Sequence, residues 1–321
     1  MREASFIERN KEKWLSIENN LLNIVDVDPD IIASNYIELT NDLAYAQTFY
    51  PQSKTKDYLN ELSIRAHQLI YKDQKSSSNK LAHFFTYEIF ESIYKIRKPL
   101  VYSLLIFLLA NVIGFISAVY EESFLKFIMG SHYVDMTLAN IKDGNPAGVY
   151  QQGSNWGGAL AITINNVRVA FMAFIYGIFL SLGTGYILML NGIMVGTFHY
   201  LFYKYDVLGE AMTAIWIHGT IELSVIVIAG GCGLAMGNSI LFPKSFTRLE
   251  SFKRAVKHAS KVLISTIPFF IVAGILEGYV TRYYQVSIWM CVTIIVLSAM
   301  TILYIYIIKP KQMAVKYAWD K

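Results

Sequence analysis

His218 and Glu222 stand four residues apart in "IWIHGTIELSVIVIAGG" (Ile215 to Gly231), a stretch otherwise apolar enough to lie in a bilayer. Four residues are about one helical turn, so imidazole and carboxylate share a face. Such a pair can relay protons, help hold a cation, or tie one helix to its neighbour by hydrogen bonds. His199, Glu277, Asn165, Asn166 and Arg168 also fall inside or at the edge of apolar runs and join it as a candidate polar intramembrane cluster. His199, His218, Glu222 and Glu277 would be enough ligands for zinc, but the HExxH pattern is absent and no ligand spacing stands out. No serine or cysteine pairs with a plausible base. The sequence therefore assigns no catalytic, metal or cofactor-binding residue and leans away from an enzyme. It leaves the cluster open between structural glue and ion handling.

Membrane helices must position these groups. Hydrophobic residues make up 54% of the chain and charged residues 16%, and the apolar residues come in blocks, which marks a membrane protein. The runs fall at about 99–120, 168–205, 213–237, 262–281 and 286–308. The second would be about 57 Å long as one helix, against a hydrocarbon core of about 30 Å. "SLGTG" (Ser181 to Gly185) is its natural break, with "LNG" (Leu190 to Gly192) competing. The expected fold is all-α, a polytopic bundle of about six spans: 99–120, 168–183, 186–205, 213–237, 262–281 and 286–308. "KIRKP" before the first span, six basic residues from Lys244 to Lys261, and Lys309, Lys311 and Lys316 all flank spans on one side. The positive-inside rule makes that side, and both termini, cytoplasmic. The connection 121–167 holds Glu121, Glu122, Asp135 and Asp143 against two lysines and is expected outside. His199, His218, Glu222 and Glu277 then share the outer half of the membrane, and Asn165, Asn166 and Arg168 start the second span.

Residues 1–80 read as a cytoplasmic helical domain, 81–98 as an interfacial amphipathic helix, and 99–321 as the membrane domain. Three apolar stripes mark the first: Ile7, Trp14, Ile17, Leu21 and Ile24; Tyr36, Leu39, Leu43, Ala46 and Tyr50; Leu59, Leu62, Ala66 and Leu69. "KDQKSSSNK" (Lys72 to Lys80) is a polar linker, and "MREASFIERNKEKW" lacks the apolar core of a secretory signal. "KSFTRLESFKRAVKHASK" (Lys244 to Lys261) and "SFLKFIMGSHYVDMTLANIKDG" suit helices in the headgroup layer, and "GNPAGVYQQGSNWGG" (Gly144 to Gly158) reads as a surface loop or docking site. Cys232 and Cys291 sit in apolar segments as small hydrophobes. Gly192/Gly196, Gly233/Gly237 and Gly274/Gly278 form three small-xxx-small pairs on spans three, four and five, which are expected to make the tight centre. A net charge of +4 is modest, and no nucleic-acid partner is expected.

"NNVRVAFMAFIYGIFLSLGTGYILMLNGIMVG" (Asn165 to Gly196), "HGTIELSVIVIAGGCGLAMG" (His218 to Gly237) and "IVAGILEGYVT" (Ile271 to Thr281) together resemble the stage II sporulation protein M family. "LTNDLAYAQTFYP" (Leu39 to Pro51) is similar to the front region of its longer members. The resemblance implies a polytopic protein of the bacterial plasma membrane. In sporulating relatives the member acts with two peptidoglycan-degrading partners during engulfment, as their membrane anchor and scaffold. The expectation is a non-catalytic scaffold or assembly factor in the lipid bilayer, a homo-oligomer or bound to a membrane protein partner such as peptidoglycan-remodelling enzymes. The alternatives are a channel or transporter using the His/Glu cluster, and an intramembrane metal-dependent hydrolase.

Overall fold

The computed structural model describes residues 2–22, 29–71, 79–151 and 155–319. Among them every regular element is helical. The chain divides into two compact units, Met1–Lys80 and Leu81–Lys321.

The first unit holds three helices, α1 (Glu3–Leu22), α2 (Pro29–Phe49) and α3 (Lys54–Tyr71). Each buries one stripe, so Phe6, Trp14, Ile17, Leu21, Leu39, Ala46, Leu59, Leu62 and Ala66 form a single core. Ile7, Tyr36, Leu43 and Tyr50 pack at its edge. Phe6 in place of Ile7 at the centre is a one-residue rotation of the expected stripe. The Trp14 indole donates to Asp42 Oδ2 at 2.8 Å, and Lys13 pairs with the same carboxylate at 2.6 Å, which fixes α1 on α2. Tyr58 donates to Glu18 at 2.8 Å and does the same for α3. Ile24, residues 72–78 of the linker and the Leu69 side chain lie outside the described residues.

The second unit begins within α4 (Asn79–His83) and continues through a π-helical turn (Phe84–Glu88) and α5 (Ile89–Lys95) into α6 (Arg97–Tyr120). Ile89, Ile93 and Ile96 are buried against Ala259 and Val262 of α12 (Arg248–Ser265). The 81–98 and 244–261 segments thus cover each other's apolar faces. Glu88 accepts from Lys261 at 2.5 Å across that contact. Thr247 caps α12 by accepting from the Glu250 backbone N–H at 3.3 Å, half of a capping box.

Six helices among the described residues are long and apolar enough to cross a membrane: Arg97–Tyr120, Leu160–Ile178, Leu182–Lys204, Leu208–Leu241, Arg248–Val280 and Ile288–Tyr317. In order they are α6, most of α9 (Asn155–Ile175), α10 (Leu182–Lys204), α11 (Leu208–Leu241), α12 with α13 (Ile267–Ile275), and α14 (Ile288–Leu303) with α15 (Lys309–Tyr317). The long second run breaks at Phe179–Ser181, where Leu180 and Ser181 take φ of 52° and 69°. Two successive non-glycine residues in the left-handed region are strained. Ser181 is held there by donating its hydroxyl to the Leu234 carbonyl at 3.1 Å. α10 runs unbroken through "LNG". Between α6 and α9 the chain folds into α7 (Ser123–Met129) and α8 (Ser131–Lys142), divided at Gly130 with φ of 84°.

α11 is the hub, with its small residues and polar groups buried against helices on several sides. The glycine pairs dock mainly on spans one and two, and Gly233 also approaches Thr184 of span three. Methyl groups placed on Gly192 or Gly196 of α10 would collide with α6 at Phe107, Ala110 and Asn111. Those on Gly233 and Gly237 of α11 would meet the end of α9 and the Ser181 turn, and one on Gly274 would sit 2.8 Å from the Thr163 hydroxyl. Gly278 corrects the expectation in a different way. It is buried, but it falls in a π-helical turn (Leu276–Val280) that follows α13. The i→i+5 bonding of such a turn breaks the α-helical register, so Gly274 and Gly278 do not form the regular small-xxx-small stripe that their spacing predicts, and Gly274 makes the close approach to α9. For the other pairs the reason is geometric: a small-residue stripe admits whichever backbone lies opposite, and sequence does not say which helix that is.

Candidate functional site

Span four carries the polar groups into the bundle, where Glu222 is 4% exposed and His218 2%. Asn166 Nδ2, on α9, donates to Glu222 Oε2 at 2.5 Å. His218 Nδ1 lies 2.9 Å from Thr281 Oγ1. The two side chains therefore reach different helices: Glu222 is tied to span two and His218 to the end of span five. His199, on α10, stacks its ring on Trp216 of α11, with centroids 5.9 Å apart.

Glu277 is 3% exposed and neither carboxylate oxygen has a hydrogen-bond partner among the described residues. Glu222 Oε1 and Thr163 Oγ1 are in the same condition. These groups share one neighbourhood. Thr163 precedes Asn166 by three residues on α9 and packs beside Gly274, which precedes Glu277 by three on span five. The backbone at Glu277 is irregular, because the π-helical turn that holds it and Gly278 runs into a 3₁₀ segment (Thr281–Val286). Single π turns inside helices are frequent at functional sites.

A cavity of about 370 Å³ adjoins the cluster, lined by Asn166, His199, His218, Glu222 and Trp216 and covered by Met129 and Tyr133 of the α7–α8 segment. Two carboxylates this deep cannot both stay ionised without a cation or donors between them, and otherwise at least one holds a proton. The arrangement can thus hold a proton or small cation, or act as a polar joint among spans two, four and five.

Of the residues singled out from sequence, Asn166, His199, His218 and Glu222 meet at this cavity, and Glu277 is not among the residues that line it. Asn165 and Arg168 do not join them: both are exposed on the other face of α9. α9 begins at Asn155, so these residues lie within the span instead of at its start. Sequence reading missed Thr163 and Thr281. Their signal was available as helical spacing, three residues before Asn166 and four after Glu277. Among the described residues no three of His, Cys, Asp and Glu converge as a metal cage.

Fold and site together define a polytopic all-α membrane protein with a polar cluster buried in its bundle. Residues 103–282 match the family described as Stage II sporulation protein M, and the chain belongs to that family. Residues 4–72 match a second family described as a domain of unknown function. The uncharacterized protein MJ0706 of Methanocaldococcus jannaschii is 30% identical over 200 residues, 60% of this chain and 86% of its own length. No solved structure matches the chain.

Proposed function

We propose that this chain is a non-catalytic membrane scaffold or assembly factor that binds a second membrane chain through the exposed polar face of α9. Asn165 and Arg168 carry the reading. Both are exposed within the span Leu160–Ile178. Arg168 lies about 12 Å from one end of that span and about 15 Å from the other. An arginine at the centre of a spanning helix costs about 2.5–3.5 kcal/mol on insertion scales. A partner helix offering carbonyls, hydroxyls or a carboxylate offsets that cost, and Asn165 adds a second hydrogen-bonding group one turn away. The partner is a second copy or another membrane protein. The resemblance noted from the sequence makes cell-envelope remodelling enzymes the first class to try. The three basic groups flanking the spans support cytoplasmic termini, with 121–167 on the opposite side.

The test is native extraction into polymer-bounded discs followed by mass measurement. The scaffold reading expects particles heavier than one chain, reduced to single chains by Asn165→Leu with Arg168→Leu. Single wild-type chains in the discs would refute it.

A second reading, a proton or cation pathway, is favoured by one observation: Glu222 Oε1, on a residue that lines the cavity, and both carboxylate oxygens of Glu277 are buried with no hydrogen-bond partner among the described residues. Purified chain in vesicles carrying a pH-sensitive dye would then leak protons or exchange cations, and Glu277→Gln would abolish the flux with thermal stability retained. Flux equal to that of protein-free vesicles would dismiss it.

A further inference from the structure

The cavity beside the polar cluster has more room than a proton or a bare metal ion uses. Its volume of about 370 Å³ holds about a dozen non-hydrogen atoms at a water's share of roughly 30 Å³ each. That is within the roughly 300–1,000 Å³ of small-molecule pockets. Much of the wall is apolar or aromatic, with Tyr133 of α8, Met194 and Phe198 of α10, and Trp216 and Leu223 of α11. The Trp216 indole N–H is directed to Met212 Sδ at 3.0 Å, so that ring brings hydrocarbon and π surface rather than a donor. Hard divalent cations take about six or more oxygen ligands. Among the described lining residues, side-chain oxygens come only from Tyr133, Asn166 and Glu222.

The charge in this wall has one sign. Glu222 lines it, and no lysine, arginine or second acid does among the described residues. Asn166 donates to Glu222 Oε2 and so holds the carboxylate, while Oε1 is buried with no hydrogen-bond partner among the described residues. A carboxylate so placed is best matched by a positively charged N–H donor. Gly219 leaves the room for one. It lines the cavity on the face of α11 that carries Glu222, three residues on. A Cβ at Gly219 would meet only Ile215 Cγ2 of its own helix, at 3.7 Å, among the described residues, whereas those on Gly230, Gly231, Gly233 and Gly237 would collide with neighbouring elements. Glycine weakens a helix interior. Close helix packing accounts for the other four, and open space beside Glu222 accounts for Gly219.

We infer that this cavity binds a primary organic ammonium with an apolar body, its charged nitrogen on Glu222 beside Gly219 and its hydrocarbon against Met194, Phe198 and Trp216. The inference rests on the second reading above, in which the cavity receives a cation, and narrows that cation to an amphiphilic amine. A neutral alcohol of the same size would match the room and lack the charge. A sodium ion would match the charge and leave the apolar wall unused. An aromatic face also favours an ammonium over a neutral group.

The experiment is isothermal titration calorimetry of the full chain in mild detergent with phenylbutylamine, phenylbutanol and sodium chloride, each corrected for protein-free micelles. The wild type is expected to bind phenylbutylamine saturably and at least roughly tenfold more tightly than phenylbutanol, the difference that a charge-assisted hydrogen bond makes. Glu222→Gln, which keeps an acceptor for Asn166, should bring the two affinities near parity. Gly219→Leu keeps the carboxylate and fills the room, so it should weaken both ligands, and it decides the matter if Glu222→Gln does not fold. Equal affinity of the wild type for amine and alcohol, a preference that survives Glu222→Gln, amine binding unaffected by Gly219→Leu, or saturable sodium binding that excludes the amine would each overturn the inference. Amine binding without proton or cation flux in vesicles supports the inference and dismisses the pathway, whereas flux without amine binding overturns the inference and leaves the pathway standing.

Discussion

Gly196→Ala should be among the most damaging single-methyl changes in the membrane unit. A Cβ at Gly196 would collide with the Asn111 carbonyl and come within 2.8 Å of the Phe115 backbone nitrogen. Both are main-chain atoms of α6, so no side chain can swing aside and the helices themselves must separate. Overpacking of this kind costs about 1–3 kcal/mol, occasionally more, and the absence of any flexible neighbour points to the upper end. Gly185 is the internal control: it lies in the same helix α10, and a Cβ there meets nothing within 4 Å. Gly185→Ala should be neutral or stabilising by up to about 1 kcal/mol, the helix-propensity difference between the two residues. The protein carries its own reporter. Cys232 and Cys291 are both free and buried, so a thiol-reactive fluorogenic dye added during heating reads the opening of the bundle. The expected result is a clear fall in midpoint for Gly196→Ala and none for Gly185→Ala. Equal midpoints for the two variants would refute the claim that α6 and α10 are in backbone contact at Gly196.

Glu222→Gln should be mild if the Asn166–Glu222 contact is a structural joint, because an amide still accepts from Asn166, whereas Glu222→Leu should cost about 1–3 kcal/mol by stranding that donor; the same thiol assay separates them, and equal losses would contradict it. The Lys261 hydrogen bond, aided by His83 and opposed by burial, holds the Glu88 carboxyl below its ordinary 4.5. A depressed folded value means the contact stabilises above the unfolded pKa and is lost as pH falls through the folded one. Wild type should therefore exceed Glu88→Gln in midpoint at neutral pH and lose that margin as pH falls through the depressed folded value, and a margin that persists in strong acid would count against the pairing. Asp42→Ala removes the acceptor of Trp14 and the partner of Lys13, and should loosen the first unit by about 1–3 kcal/mol, read as a red shift of Trp14 fluorescence; an unchanged spectrum would oppose that role.

Much of the fold could be read from the sequence because lipid imposes a simple length rule on apolar runs. The break at Phe179–Ser181 lay at the start of the expected "SLGTG", since a hairpin needs residues that turn. The start of span two was misjudged. "NWGGALAITINN" is too polar to read as buried, yet Asn165 and Arg168 face outward while Thr163 and Asn166 face the bundle, so one helix carries polar groups on two faces. The polar cluster was legible as a list of residues and not as a set of pairs. The residue list does not say which group meets Glu222, and α9 is rotated so that Asn166 does. Which face of a helix turns inward depends on packing against three neighbours, and glycines that fit several partners leave that choice open in the sequence. The spacing of Gly274 and Gly278 misled for a related reason: it assumes an unbroken α-helix, and the π turn at Leu276–Val280 leaves no mark in the apolar pattern.

The exposed polar face of α9 carries the functional account, so the most direct measurement is disulfide cross-linking on that face in native membranes. Ile164 and Phe171 flank Asn165 and Arg168 and are 63% and 53% exposed. Single cysteines at these positions, in a background with Cys232→Ala and Cys291→Ala, should form covalent adducts of discrete mass on mild oxidation. A cysteine at Leu109, 64% exposed on α6, should not. Adducts at neither α9 position, or equal reaction at all three, would contradict the proposal that α9 meets a partner in the membrane.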